Sequence, residues 1–183
     1  MKLIFLLIVL AITLAIPAIA EVPTYNLTNY YQYGKEATKL AQQVKRFSVK
    51  YKYSLEYKTD MDLVETCGIL CKYSKYSHFD KYDLTTTVLK ESRFNPKAFN
   101  KKDGGIGLGQ LTRIKEWHKD TLFWMTKPYD KEQNIKGIIC VLEDNLRSYK
   151  QKPKAIQSYN GFHGKSFMYR KDFYKIRNQL VKS

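Results

Sequence analysis

The apolar residues between Glu132 and Tyr149 recur every three or four positions, a spacing that commits this part of the chain to an amphipathic helix. Its inward face consists of Ile135, Ile138, Ile139, Leu142 and Leu146. Comparable spacing predicts further helices over residues 36–57, 59–71, 80–92, 153–159 and 169–180, and another helix starting near Gln110. No run of alternating strand residues, internal repeat or low-complexity tract accompanies them. The expected fold class is therefore mainly α.

The first twenty residues form a segment of their own. Residues 3–20 carry no charge, Lys2 precedes them, and Ala18, Ile19 and Ala20 end them. This order predicts a secretory signal peptide over residues 1–20, cleaved before Glu21. An uncleaved membrane anchor through residues 3–20 is the alternative, because the stretch approaches the length of a membrane span. Either way, the rest of the chain is expected outside the cytoplasm, in the periplasm, the cell envelope or the medium.

The chain is strongly basic, with 32 Lys and Arg against 17 Asp and Glu and a net charge of +15. Such a charge favours polyanionic partners, whether nucleic acid, anionic membrane or anionic cell wall. The lysines are scattered, however, and an AT-rich genome explains a Lys- and Tyr-rich composition equally well. Because a nucleic-acid role would rest on charge alone and conflicts with the signal segment, we expect no nucleic-acid partner.

Cysteine and histidine usage restricts the chemistry further. The three cysteines are Cys67, Cys71 and Cys140, and an odd number leaves one of them unpaired. We predict that Cys67 or Cys71 bridges to Cys140; three small buried side chains are the alternative. The three histidines have no HxxxH or HExxH spacing and the cysteines have no zinc spacing, so no metal and no cofactor are expected. Serine-elbow and Cys/His catalytic motifs are likewise missing from the sequence.

One acidic residue stands out by its position. Glu91 lies at the end of the predicted 80–92 helix, and Asn95 and Pro96 follow it, with Pro96 stopping the helix. Residues 104–110 form a glycine-rich loop that ends in Gln110, and its glycines allow backbone to approach a ligand closely. A Tyr159-Asn160 pair occurs near the end of the chain.

This ordered set resembles the catalytic domain of soluble lytic transglycosylases, which share a lysozyme-like fold with goose-type lysozyme. The resemblance covers about residues 80–180. It implies a catalytic domain over residues 80–183, which follows the predicted signal peptide (1–20) and a linker and helical N-terminal extension (21–79, with the linker to residue 35) that show no such resemblance. Gly109 departs from the family pattern, which usually has methionine there; the change is expected to loosen a substrate-packing contact.

The resemblance implies that Glu91 is a single general acid/base acting on peptidoglycan glycan strands. Glu91 would protonate the glycosidic oxygen of the β-1,4 bond between N-acetylmuramic acid and N-acetylglucosamine. It would then deprotonate the C6 hydroxyl of N-acetylmuramic acid, which attacks C1 and gives a 1,6-anhydro product. Ser92, Gln110, Tyr159 and Asn160 are expected to line or support the site. Phe94, Phe99, Trp117 and Phe162 are candidates for stacking on sugars or for core packing.

Two alternatives remain open at this point. The first is a muramidase on the same fold, which uses water and a second carboxylate such as Asp103. The second is a non-catalytic cell-wall-binding or assembly protein, which would have no need of Glu91. In each case the chain is expected to act as a monomer.

Overall fold

The computed structural model of the protein describes residues 27–112, 125–161 and 166–183, with side chains from residue 34 onward. A single compact unit spans Gln32–Ser183. The described elements, in chain order, are α1 (Leu27–Tyr51), α2 (Asp60–Ser74), α3 (Lys81–Ser92), β1 (Phe99–Asn100), β2 (Gly105–Ile106), α4 (Lys131–Tyr149), α5 (Lys152–Tyr159) and α6 (Ser166–Val181). The mainly α prediction is confirmed.

The helix starts follow from side-chain caps that the sequence displays. Thr59 caps α2, because its side chain accepts a hydrogen bond from the Asp62 N–H at 3.2 Å. Asp80 caps α3 in a reciprocal arrangement, in which its carboxylate binds the Asp83 N–H and Asp83 binds the Asp80 N–H. These two caps determine the residues at which α2 and α3 begin.

The predicted N-terminal helix has different bounds in the structure. α1 begins at Leu27, so part of the predicted 21–35 linker is helical, and it ends at Tyr51 rather than at Tyr57. The end follows from Lys52, whose φ of 52° is left-handed and cannot continue the helix. Residues 53–57 have no regular secondary structure. Residues 107–112 form a turn and a β-bridge, and the rest of the helix predicted to start near Gln110 falls on residues 113–124, outside the described residues.

One hydrophobic core joins α1 to the helices that follow it. Leu40 and Val44 on α1 have no exposed surface and Phe47 is 1% exposed, and each such burial stabilises the fold by about 1.5–3 kcal/mol. They belong to the same buried cluster as Leu63, Leu70, Leu84, Val88, Leu89, Ile135, Ile138 and Phe173. A chain that begins at the predicted domain boundary of residue 80 would lose these contacts.

The disulfide prediction is wrong, because all three cysteines are free thiols. Cys67 and Cys71 point from α2 into the core and are 0% and 1% exposed, while Cys140 on α4 is half-buried. Burial raises the pKa of Cys71 to about 11, so this thiol stays protonated and unreactive at neutral pH. The alternative, three small packed side chains, describes them.

The predicted signal segment lies outside the described residues. Within the described ranges, no helix has the length and apolar character needed to cross a membrane.

Candidate active site

Glu91 lies half-buried in the last turn of α3, where the helix stops abruptly. Arg93 caps the helix in the left-handed region with φ 55°, and Phe94 follows with φ 68°. Phe94 is 1% exposed and fills the core, so it is unavailable to stack on a sugar. Two consecutive left-handed residues without glycine are uncommon, and such backbone is often found at functional sites. The turn presents Glu91 at the end of a buried helix.

Tyr169 on α6 contacts Glu91 directly, and the sequence patterns did not indicate this tyrosine. The Tyr169 hydroxyl donates a hydrogen bond to Oε1 of Glu91 at 2.6 Å. Burial, and after it the charge of Glu91, raise the pKa of Tyr169 well above its usual value, so the hydroxyl keeps its proton. Lys90 Nζ lies 4.5 Å from the centre of the same ring, a cation–π contact that helps to hold the ring.

Tyr159, which was predicted to line or support the site, makes its hydrogen bond to the glycine-rich loop. Its hydroxyl donates to the carbonyl oxygen of Gly109 at 2.8 Å. Burial raises the pKa of Tyr159 well above the usual value, and the charge of Glu91 adds to the shift, which places the ring in the field of the acid. Tyr159 therefore connects the surroundings of Glu91 to the glycine-rich loop, while Tyr169 binds the carboxyl itself.

The glycine-rich loop is held by one buried side chain of α4. Asn134 is 1% exposed, and its amide makes three hydrogen bonds to backbone. Nδ2 donates to the carbonyls of Ile106 at 3.0 Å and Pro128 at 2.8 Å, and Oδ1 accepts from the Gly109 N–H at 2.8 Å. Gly107 has φ 72°, and a Cβ there would lie 2.3 Å from Nδ2 of Asn134. Glycine at position 107 is therefore required both by conformation and by space.

Gly109 occupies a position with no room for a side chain. A Cβ at this residue would lie 2.3 Å from Cγ1 of Ile138 and 2.7 Å from the hydroxyl of Tyr159. Ile138 lies one turn after Asn134 on α4, so both residues face the loop. The expectation that glycine here loosens a packing contact is not supported, because Ile138 and Tyr159 already fill the space.

Gly109→Ala is expected to lower the free energy of unfolding by about 1–3 kcal/mol, since Ile138 and Tyr159 must move to admit the methyl group. Urea denaturation of the purified variant measures this. Gly34→Ala is the matched control: a Cβ there meets nothing within 4 Å, and alanine favours the helical conformation of α1 by up to about 1 kcal/mol. Equal stability of the Gly109 variant and the wild type would contradict the described packing.

The remaining predicted site residues have different surroundings. Ser92 is 5% exposed and donates to the Val88 carbonyl at 3.3 Å, which makes it part of the helix end. Gln110 is half-buried with φ 48°, and its amide nitrogen donates to the Gly107 carbonyl at 3.0 Å. Asn160 is exposed at the end of α5. Asp103 accepts from the Gly105 N–H at 3.0 Å, a bond within its own loop.

The aromatic residues predicted to stack on sugars also have different surroundings. Phe99, on β1, is 55% exposed and is available to a ligand. Trp117 and Phe162 lie outside the described residues.

No group of acidic, histidine and cysteine side chains in the described part of the chain is arranged to hold a metal ion.

Comparison with known proteins identifies the family. The family model described as "Transglycosylase SLT domain" matches residues 70–179, more than half of the chain. Searches of curated proteins and of solved structures found no significant match. The matched range contains Glu91, the glycine-rich loop, Tyr159 and Tyr169. The chain belongs to the SLT transglycosylase family.

Proposed function

We propose that the protein is a peptidoglycan lytic transglycosylase that cleaves the β-1,4 bond between N-acetylmuramic acid and N-acetylglucosamine and forms 1,6-anhydro-N-acetylmuramic acid. Family membership supports a glycan-cleaving activity of the lytic transglycosylase type, with peptidoglycan as substrate. Members of this family act in the periplasm or cell envelope. To this we add the 1,6-anhydro product and Glu91 as the catalytic residue.

The observation that carries the proposal is the hydrogen bond from Tyr169 to Glu91. It orients a half-buried carboxyl at the end of α3. Glu91 gives its proton to the glycosidic oxygen as the bond from C1 breaks. The substrate's own 2-acetamido group helps to stabilise the positive charge on the sugar.

The second half of the reaction uses the same carboxyl. Glu91, now ionised, removes the proton from the C6 hydroxyl of N-acetylmuramic acid while O6 bonds to C1. The carboxyl regains its proton, the 1,6-anhydro ring closes, and no water is consumed. One acid/base residue is sufficient for both steps. In this proposal Ser92 and Gln110 support the helix end and the glycine-rich loop, and the exposed Asn160 contacts sugar.

Export through residues 1–20 and action as a monomer complete the proposal. The basic surface would then face an anionic cell wall rather than nucleic acid.

The direct test is mass spectrometry of purified peptidoglycan after digestion by residues 21–183. Muropeptides lighter by one water than reducing muropeptides are expected. Reducing muropeptides would favour a muramidase and direct attention to a second carboxylate, with Asp103→Asn as the first variant. Absence of soluble products from several wall types would favour a non-catalytic wall-binding or assembly role.

Tyr169→Phe is expected to lower kcat and to move the alkaline limb of the pH–rate profile to higher pH. The Tyr169 hydroxyl stabilises the ionised form of Glu91, so its removal disfavours ionisation and Glu91 keeps its proton to higher pH. Because the pKa of Tyr169 itself is raised, this hydroxyl does not titrate in the range of the measurement. Tyr149→Phe, on the far end of α4, is the matched substitution. A limb that stays in place or moves to lower pH would contradict the described contact.

A further inference from the structure

The segment between α1 and α2 lies outside the family match, which begins at residue 70. We call residues 53–57 the strap. Burial alternates along it: Tyr53, Leu55 and Tyr57 are half-buried against the core, while Ser54 and Glu56 are exposed. This alternation is the pattern of an extended chain lying on a surface with one side inward. The strap crosses the end of α3, where Glu91 lies.

The strap makes hydrogen bonds to the turn that follows Glu91. The Glu56 N–H donates to the Arg93 carbonyl at 2.7 Å, and the Glu56 carboxylate accepts from Arg93 at 3.5 Å and from Asn95 at 3.4 Å. Arg93 and Phe94 are the two consecutive left-handed residues of this turn. Such backbone costs free energy and persists where surrounding contacts hold it. The strap supplies contacts of this kind from outside the turn's own sequence.

Tyr53 reaches the helix end itself. Its hydroxyl donates to the Leu89 carbonyl at 3.1 Å, in the last turn of α3. The same carbonyl accepts the capping N–H of Arg93 at 3.3 Å. Burial raises the pKa of Tyr53, while Arg93 lowers it and the charge of Glu91 raises it, so this hydroxyl also lies in the field of the acid. Tyr53 is therefore a third tyrosine near Glu91, after Tyr159 and Tyr169.

We propose that Tyr53 and Glu56 give the strap a part in the reaction by positioning Glu91, whereas Tyr57, whose hydroxyl contacts Asp60, has no such part. By holding the Leu89 carbonyl and the Arg93–Asn95 turn, the strap fixes the last turn of α3 relative to Tyr169 and the glycine-rich loop. It also covers this end of the helix and limits the access of water to the carboxyl. The inference rests on the proposed function, since it assigns the strap a part in the same reaction.

The test compares Tyr53→Phe with Tyr57→Phe. Both variants lose one phenolic hydroxyl from the same strap, but the Tyr57 hydroxyl donates to Asp60 at 3.2 Å and not to α3. Tyr53→Phe is expected to lower kcat about tenfold, because small displacements of a reacting group are costly. Tyr57→Phe is expected to keep kcat within about twofold of the wild type, as an exposed bond contributes little.

The pH–rate profile separates positioning from a loss of folded protein. Fewer folded molecules would scale the whole profile without moving its limbs. A loosened helix end admits water to Glu91, which favours the ionised form, so Tyr53→Phe is expected to move the alkaline limb to lower pH. This direction is opposite to that expected for Tyr169→Phe.

The outcomes distinguish the inference from the function on which it rests. An active wild type whose rate and pH limb are unchanged by Tyr53→Phe, or changed equally by Tyr57→Phe, overturns the inference alone. A wild type that releases no muropeptides from any wall overturns the proposed function, and the inference with it.

Discussion

Glu91→Gln is expected to lower the rate of muropeptide release by about a thousandfold, within the range that a general acid contributes. Glutamine has nearly the same shape as glutamic acid, and its side-chain oxygen can still accept the hydrogen bond from Tyr169. The amide cannot give up a proton to the glycosidic oxygen, nor can it afterwards remove one from the C6 hydroxyl. The variant should therefore fold normally and bind peptidoglycan while failing in both chemical steps.

The measurement is the initial rate of soluble muropeptide release from purified peptidoglycan, with thermal unfolding of the same samples. Glu36→Gln is the matched control, because Glu36 lies on α1 with a side chain 45% exposed, in an ion pair at 3.9 Å with Lys75. This control should retain wild-type activity. A Glu91→Gln variant that works within about tenfold of the wild type would contradict a single-acid mechanism, since the general acid would then lie elsewhere.

Asp83→Ala is expected to lower the free energy of unfolding by about 3 kcal/mol, near the lower end for a broken buried ion pair. Asp83 is 1% exposed and accepts from Nε of Arg177 and Nζ of Lys152, each at 2.6 Å. It thereby connects the start of α3 to α5 and α6, and it closes the reciprocal cap with Asp80. We expect a loss near the lower end of the range because the side chains of Arg177 and Lys152 are 24% and 36% exposed. Water can therefore partly solvate their charges once Asp83 is removed.

Urea denaturation measures this loss, and Asp60→Ala provides the comparison on an exposed surface, because the side chains of Asp60 and its partner Lys45 are 69% and 47% exposed. That variant should lose far less stability, because exposed ion pairs contribute little. A comparable small loss for Asp83→Ala would contradict the structural role of the ion-pair network. A loss without a change in kcat at low temperature would show that the network maintains the fold rather than the chemistry.

The starts of α2 and α3 could be predicted because each depends on a capping side chain next to it in the sequence. Thr59 and Asp80 are polar capping residues that directly precede runs of regularly spaced apolar residues. Pro96 indicates that the helix must end shortly after Glu91. The end of α1 was wrongly predicted at Tyr57 rather than Tyr51. The alternation of Tyr53, Leu55 and Tyr57 with polar residues is the signal of an extended segment, and helix-forming composition obscured it.

The contacts of Glu91 could not be predicted because they join distant parts of the chain. Tyr169 is 78 positions from Glu91, and their meeting depends on how α6 crosses α3. Among fifteen tyrosines the motif singles out Tyr159, which binds the glycine-rich loop in the structure. Gly109 could be recognised as a departure from the family pattern, but its cause required the position of Ile138 on α4. Local patterns thus single out Glu91 as the candidate acid, and the fold shows that Tyr169 contacts it.

The most direct test of the central claim is digestion of purified peptidoglycan by residues 21–183 in water enriched in heavy oxygen, followed by mass spectrometry of the products. A reaction closed by the C6 hydroxyl takes no oxygen from the solvent. The account predicts anhydro-muropeptides without heavy oxygen, absent when Glu91→Gln replaces the wild type. Reducing muropeptides that carry heavy oxygen at C1 would contradict it, because water rather than the substrate's own hydroxyl would then have attacked.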